Sequence, residues 1–255
     1  MDLAVDDQLQ QHYEHLAETY DATWDHRPDY VDWMQEHIRA GLQLQTGQRI
    51  VDIGAGTGLF LKRLLPYGTP ETPVVAVEPS APMLERLPED PRLRPVLATA
   101  EDIVAGTVEL PFDEYDVIMG KEAVHHFKDI DATVAGLCRM LAPGGRILFV
   151  TLPPRLEYPL FQEALDRFAS RHPDPEGVAA AMRGAGLDAS VQYEEFRVKI
   201  DRDEWLRLVG NQWMSVLSTF SDAEIAKGLD EIAAKYPEPR LEFTDRFAFV
   251  LGRRS

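Results

Sequence analysis

The chain has 255 residues, enough for one α/β domain with additions, or with a small second domain, and for a substantial buried core. Its 43 acidic and 26 basic residues give a formal charge of -17, which argues against nucleic acid or an anionic membrane as partner but not against a local basic patch. With one cysteine, no zinc-like Cys/His spacing and no long apolar run, no disulfide or metal site is expected, and the protein is expected to be soluble and cytoplasmic.

The first predicted element is helical and spans residues 8–43. Tyr30, Met34, Ile38 and Leu42 recur at every fourth position, which predicts one buried helical face. Pro28 suits the first turn of a helix because its missing N–H would have no partner there.

Short apolar runs then alternate with helical patterns. The predicted strands are residues 49–53, 73–77, 93–97, 115–119 and 146–151. Pro95 predicts that the third of these is an edge strand, because proline cannot donate to a central ladder. The predicted helices run through residues 59–65, from an N-cap at Ser80 through Leu87, and over 129–141, where Pro143 and two glycines stop the helix and Cys138 is expected to be buried. This alternation favours βαβ units and a mostly parallel sheet.

The last third of the chain has a different pattern. Apolar residues alternate from Val191 to Ile200 and again up to Leu251, which predicts two long strands that form an antiparallel edge. The 40 or so residues between them are predicted to be helical, with a capping box at Ser221 and Glu224.

The run at the end of the first strand is the most informative. Residues 51–60 read V-D-I-G-A-G-T-G-L-F, so that an acid is followed by glycines at alternate positions, Gly54, Gly56 and Gly58. Glycines there allow a sharp turn and close approach of a ligand, and a helix starting after them would direct free N–H groups at it. A dinucleotide fingerprint is G-x-G-x-x-G, whereas here Leu59 occupies the third glycine position.

Further polar residues follow the next strands. Glu78 ends the second strand, where an acid can accept hydrogen bonds from ribose hydroxyls, although it could also serve only as a cap. Glu101 and Asp102 follow the third strand and either meet an exocyclic amine or form a solvated acidic pair. A segment from Gly120 to Phe127 follows the fourth strand, so all these residues are expected at the carboxyl edge of one sheet.

These motifs resemble class I S-adenosylmethionine-dependent methyltransferases that act on small molecules. The pattern acid-x-G-x-G-x-G is matched by Asp52 and the three glycines, and the resemblance extends over residues 10–155. It implies a Rossmann-like, doubly wound α/β sheet of seven strands, mostly parallel with an antiparallel edge strand. It also implies an N-terminal helical cover and a helical insertion before the last strand.

The resemblance implies one methyltransferase domain over residues 1–255. Its parts would be a helical cover (1–45), a cofactor-binding core (46–155) and a C-terminal half (156–255) whose insertion at 201–240 roofs the acceptor. The implied cofactor-binding residues are Tyr20, Asp52, Gly54, Ala55, Gly56, Glu78, Pro79, Met83, Ala100, Glu101, Gly120 and Lys121. The family usually has an apolar residue at the position of Lys121, which could pair with the cofactor carboxylate or with Glu122.

A hydroxyl or ammonium acceptor must lose a proton, and histidine, with a pKa of about 6.5, suits that task. His125 and His126 are the candidate bases, with His125 favoured, although both could instead orient a loop. The further candidates for acceptor contact lie in the cover or the insertion, and could equally be structural: Trp24, His26, Arg27, Trp205, Trp213, Met214 and Phe220.

The leading hypothesis is methyl transfer from S-adenosylmethionine to a small molecule, in natural-product metabolism. One alternative is methylation of tRNA or protein, and another is a cofactor-binding regulator or scaffold without methyl transfer. A nicotinamide oxidoreductase is disfavoured by the glycine spacing. The acceptor, the atom methylated and the oligomeric state stay open.

Overall fold

The computed structural model describes residues 28–255, which alternate strands and helices through most of their length. The strands are β1 Ile50–Ile53, β2 Val74–Glu78, β3 Leu93–Leu97, β4 Tyr115–Lys121, β5 Leu141–Thr151, β6 Asp188–Asp201 and β7 Arg240–Arg253. The helices are α1 Pro28–Leu42, α2 Ala81–Leu84, α3 Ala100–Ala105, α4 Ile130–Arg139, α5 Gln162–Arg171, α6 Pro175–Gly184, α7 Arg202–Gly210 and α8 Asp222–Lys235.

The seven strands form one sheet in the order β3-β2-β1-β4-β5-β7-β6. The pairs among β1 to β5 are parallel, and β7 pairs antiparallel with β5. This confirms the predicted Rossmann-like, mostly parallel sheet, and β3 with Pro95 lies at an edge as expected. The two long strands predicted in the last third of the chain, β6 and β7, are adjacent and form the other edge of the sheet.

The chain divides into two compact units. We call residues 28–151, Pro173–Tyr193 and Ala248–Ser255 the core unit, and Leu152–His172 with Glu194–Phe247 the aromatic unit. The core unit holds strands β1 to β5 and helices α1 to α4 and α6, whereas α5, α7 and α8 lie in the aromatic unit. The single-domain organisation expected from the sequence stays a prediction.

The core unit is built on strands whose residues are buried on both faces. Every residue of β1 and β2 is buried, as expected for parallel strands covered on both sides. On α1, Tyr30, Met34, Ile38 and Leu42 have no exposed surface, which confirms the predicted helical stripe. The Cys138 thiol is buried on α4, and burial raises its pKa to about 12, which confirms its prediction as a small apolar residue.

The helix predicted over residues 59–65 is replaced by two 3-10 turns, Leu61–Arg63 and Leu65–Tyr67. The physical reason is Pro66, which has no N–H to donate and disfavours helical backbone at the residue before it. The interpretation of the glycine turn as the start of an α-helix was therefore wrong.

The other helices lie closer to the boundaries predicted from the sequence. The N-cap position of Ser80 is confirmed, but α2 has only four residues and the Ser80 hydroxyl makes no capping hydrogen bond. The capping box of Ser221 and Glu224 is present at the start of α8. Helices α3, α5 and α6 were not predicted. No helix in residues 28–255 has both the length and the apolar character that a membrane span requires.

Candidate functional site

The carboxyl ends of β1, β2 and β4 lie side by side and bring the predicted site residues of three strands together. Ile53 pairs with Val77 in β2, and Asp52 pairs with Met119 in β4. Because all three strands run in the same direction, the glycine turn, Glu78 and Gly120 meet at one edge of the sheet. All of them belong to the core unit.

The glycine turn is held against the end of β2 by backbone hydrogen bonds. The N–H groups of Gly54 and Ala55 both donate to the Val77 carbonyl, at 2.8 and 3.1 Å. Gly54 has φ +73°, in the left-handed region that favours glycine. A Cβ at this position would lie 2.8 Å from the Cβ of Ala123, which is too close. Glycine is therefore required here by both the backbone conformation and the packing.

Glu78 fixes the next part of the turn with both carboxylate oxygens. Oε2 accepts from the Gly56 N–H at 2.9 Å, and Oε1 accepts from the Ser80 N–H at 3.0 Å. A carboxylate oxygen can accept a second hydrogen bond, so each oxygen can still receive a hydroxyl. The side chain is thus already oriented for a diol such as a ribose.

Two buried acids lie next to each other in this edge. Burial, and then the charge of Glu78, raise the pKa of Asp52 to about 8, while Lys121 opposes the shift. Burial also raises the pKa of Glu78, against the lowering effect of the Ser80 and Gly56 hydrogen bonds. At neutral pH Asp52 is therefore mostly protonated, and its hydroxyl can donate a hydrogen bond.

Met83 and Pro79, two of the implied cofactor-binding residues, differ in exposure. Met83 is buried, and its sulfur would lie 3.7 Å from a Cβ placed on Gly56, so it packs close to the glycine turn. Pro79 is exposed beside it. At Gly120 a Cβ would lie 2.9 Å from the Phe149 ring, so that glycine has a packing reason of its own.

The two acids that follow β3, Glu101 and Asp102, make separate contacts. Asp102 and Thr99 form a reciprocal capping box at the start of α3, so the Asp102 carboxylate serves the helix end. Glu101 instead accepts a hydrogen bond from the Lys128 N–H at 2.8 Å. Ala100 is buried in the first turn. Glu101 thereby connects α3 to the loop that contains the two histidines.

The segment after β4 continues the site. The Lys121 ammonium lies 4.8 Å from the centre of the Phe60 ring, a cation–π distance. Phe60 was not predicted as a site residue. His125 and His126 form a 3-10 turn with Val124, and their rings lie 3.9 Å apart between centroids. Both histidines are half-buried.

The remaining candidates lie elsewhere. Tyr20, Trp24, His26 and Arg27 fall outside the described residues 28–255. In the aromatic unit, Trp205, Met214 and Phe220 are buried, whereas Trp213 is half-buried. Trp205 and Trp213 pack with two rings that were not predicted, Tyr158 and Phe243, at centroid distances of 4.9 to 6.1 Å.

Comparison with known proteins identifies related chains. A family model described as "Methyltransferase domain" matches residues 24–193. A protein of Geobacillus kaustophilus, described as an uncharacterized methyltransferase, is 29% identical over 164 residues, which span 62% of this chain and 73% of that protein.

Two solved structures share the fold. One, from Anabaena variabilis, is provisionally described as a methyltransferase from an antibiotic biosynthesis pathway; its TM-score is 0.64 at 21% identity, over 85% of this chain and 95% of that one. The other is a phosphoethanolamine N-methyltransferase of Haemonchus contortus in complex with phosphomonomethylethanolamine and S-adenosylhomocysteine. Its TM-score is 0.54 at 17% identity, over 85% of this chain and 51% of that one.

Proposed function

Because the chain belongs to the methyltransferase domain family, we propose that it transfers the methyl group of S-adenosylmethionine to a small-molecule acceptor, in natural-product metabolism. The chain is a class I methyltransferase and S-adenosylmethionine is its cofactor. The acceptor class, the metabolic setting and the roles of individual residues are what we propose beyond that.

One observation supports the assignment of the cofactor site more than any other. Glu78 holds the Gly56 N–H with one carboxylate oxygen and the Ser80 N–H with the other, next to a turn in which no Cβ fits at Gly54. This arrangement fits the expected cofactor, since the acid can accept two ribose hydroxyls and the glycines let the amino-acid end approach the backbone. Lys121 provides a cation that suits the cofactor carboxylate.

When bound, the cofactor supplies a methyl group on a positively charged sulfur, which accepts the electron pair of the broken bond. The chain then has to align an acceptor atom and exclude water. A protonated Asp52 keeps the glycine turn from carrying two adjacent negative charges and leaves Glu78 as the principal acceptor for the ribose.

We propose His125 as the general base, with His126 as the alternative. Both rings follow β4 directly, at the same sheet edge as the glycine turn, and a half-buried imidazole can take up the acceptor proton. His125 is preferred because its Nδ1 is buried, where a neighbouring protein group can fix the tautomer of the ring.

A small-molecule acceptor agrees with the charge of -17, which opposes binding to a polyanion. The related Anabaena structure, described as part of an antibiotic pathway, and the Haemonchus enzyme, bound to a small phosphoamine, support the same class of acceptor. In the aromatic unit we propose Trp213 as the acceptor contact, since it keeps part of its surface exposed while the other three candidates are buried.

Calorimetry with S-adenosylhomocysteine tests the cofactor site. We expect Glu78→Gln to weaken binding about 10- to 100-fold, because the amide offers fewer acceptors and its NH2 opposes one of the two N–H donors. The exposed Glu89→Gln is the matched control and should bind like the unaltered protein. Equal affinities for Glu78→Gln and Glu89→Gln would remove Glu78 from the site.

Transfer of labelled methyl to a panel of phenols, amines and carboxylic acids tests the activity and the base. With an accepted substrate, His125→Ala should lower kcat about 100-fold or more while the affinity for S-adenosylhomocysteine stays the same. If His125→Ala, His126→Ala and the double variant all transfer methyl at the original rate, neither histidine is the base.

A further inference from the structure

The backbone of Glu122 has a left-handed conformation, which is strained for any residue with a side chain. Its φ is +53°, in the left-handed region where a residue other than glycine is uncommon and strained. The position follows β4 directly and lies three residues before His125. Glycine would relieve the strain, so the presence of glutamate points to a use for its carboxylate.

The surrounding backbone fixes this conformation. The Glu122 N–H donates to the Val150 carbonyl at 2.8 Å, which continues the ladder of β4 with β5. The next residue, Ala123, is the one whose Cβ lies against Gly54. The left-handed residue therefore turns the chain from the sheet edge into the 3-10 turn that contains both histidines.

The same turn brings the Glu122 carboxylate to the His125 ring. A carboxylate oxygen of Glu122 and a ring nitrogen of His125 lie within 4.8 Å of each other. Glu122 Oε1 and His125 Nδ1 are both shielded from solvent. A hydrogen bond would require these two atoms to approach to about 3 Å, and such contacts commonly tighten when a ligand binds.

We propose that Glu122 is a positioning residue for His125, an inference that rests on the proposed function of that histidine. The carboxylate accepts a hydrogen bond from one ring N–H and so fixes the tautomer. The other ring nitrogen is then unprotonated and can take the proton of the acceptor. When that proton arrives, the negative charge of Glu122 stabilises the imidazolium.

The test measures the tautomer of His125 directly and needs no acceptor. Protein labelled with nitrogen-15 in its seven histidines is studied by long-range proton–nitrogen NMR with saturating S-adenosylhomocysteine, and the His125 signals are assigned by their loss in His125→Ala. We expect one tautomer to dominate in the unaltered protein. In Glu122→Gln and in Glu122→Gly the two ring nitrogens should move toward the averaged shifts of a mixture.

Glu122→Gly separates positioning from a role in the turn, because it removes both the carboxylate and the strain. If His125 keeps its tautomer in both variants, Glu122 is only a turn residue and the proposal is overturned. The spectra are repeated with EDTA, since a shift of the His125 signals on chelation would show a cation between the side chains and contradict the direct contact. Failure of the proposed function of His125 is seen separately, as methyl transfer at the original rate by His125→Ala.

Discussion

The core unit and the aromatic unit present their candidate functional groups in different ways. In the core unit, backbone N–H groups of the glycine turn and one acid, Glu78, form the arrangement. In the aromatic unit, the comparable feature is a cluster of rings in which the Trp205 Nε1 donates to the Pro159 carbonyl at 2.7 Å, and the Tyr158 hydroxyl donates to the buried Asp245.

The two arrangements differ in how strongly they depend on individual side chains. A site made of backbone atoms depends on where strands end and where glycine is allowed, so it changes little with side-chain substitution. A cluster of rings depends on the shape and volume of every member, so single substitutions can reshape it. We therefore propose that the core unit binds the cofactor and that the aromatic unit governs the choice of acceptor.

Among the variants that test this comparison, Gly54→Ala is expected to have the largest effect, a loss of affinity for S-adenosylhomocysteine. The new Cβ would lie 2.8 Å from the Cβ of Ala123 and the backbone is left-handed, so the glycine turn and Ala123 must move apart, which we expect to disturb the cofactor site. We expect the affinity for S-adenosylhomocysteine to fall more than about 100-fold, or about 3 kcal/mol. Calorimetry measures this change.

Gly186→Ala is the matched control in the same unit. Gly186 also has a positive φ, +89°, but nothing lies within 4 Å of its Cβ position. It should lose stability through backbone strain while its affinity for S-adenosylhomocysteine stays unchanged. An equal loss of affinity in both variants would mean that strain alone, and not the contact with Ala123, controls the site.

An intermediate effect, on stability alone, is expected for Trp205→Phe in the aromatic unit. The variant loses the hydrogen bond to the Pro159 carbonyl and part of the ring packing, which we expect to lower the free energy of unfolding by about 2 kcal/mol. Urea titration measures the loss. The affinity for S-adenosylhomocysteine should stay within a factor of about two. A tenfold drop would contradict the proposal that only the core unit binds the cofactor.

The smallest effect, taken per pH unit, concerns the pH dependence of stability. The pKa of Asp52 is raised from 3.8 to about 8, so the folded protein holds a proton that the unfolded chain has released over that range. The free energy of unfolding should therefore fall as pH rises from 4 to 8, by on the order of 1 kcal/mol per pH unit for this group.

Asp52→Asn, which resembles the protonated acid, should have a flatter dependence. Urea titrations of both proteins at several pH values measure the two slopes. Parallel slopes would show that Asp52 is ionised in the folded protein.

The sequence predicted the parallel part of the sheet well because β1, β2 and β4 are short, mostly apolar runs of four to seven residues. The stripe from Tyr30 to Leu42 and the capping box at Ser221 depend on local periodicity and local hydrogen bonds, which a sequence displays directly. The stretch after Gly58 was harder, since its leucines are spaced as in a helix while Pro66 prevents one.

The positions of candidate site residues could be predicted where they follow the end of a strand. Contacts between residues far apart in the sequence could not be predicted. Asp52 and Glu78 follow from the first two strands, and their location at one sheet edge needs only the parallel topology. The contact of Glu101 with the Lys128 N–H, and the ring of Phe60 under Lys121, join residues whose distance is set by tertiary packing. No spacing rule in the sequence contains that information.

The buried thiol of Cys138 makes the chain a convenient host for site-specific probes. It is the only cysteine, only 2% of its surface is exposed, and with a pKa of about 12 it contains almost no thiolate at neutral pH. Maleimides and iodoacetamides should therefore leave it unreacted. Glu89→Cys in the core unit and Ser170→Cys in the aromatic unit, both at exposed positions, can then each receive a fluorophore without removal of the native cysteine.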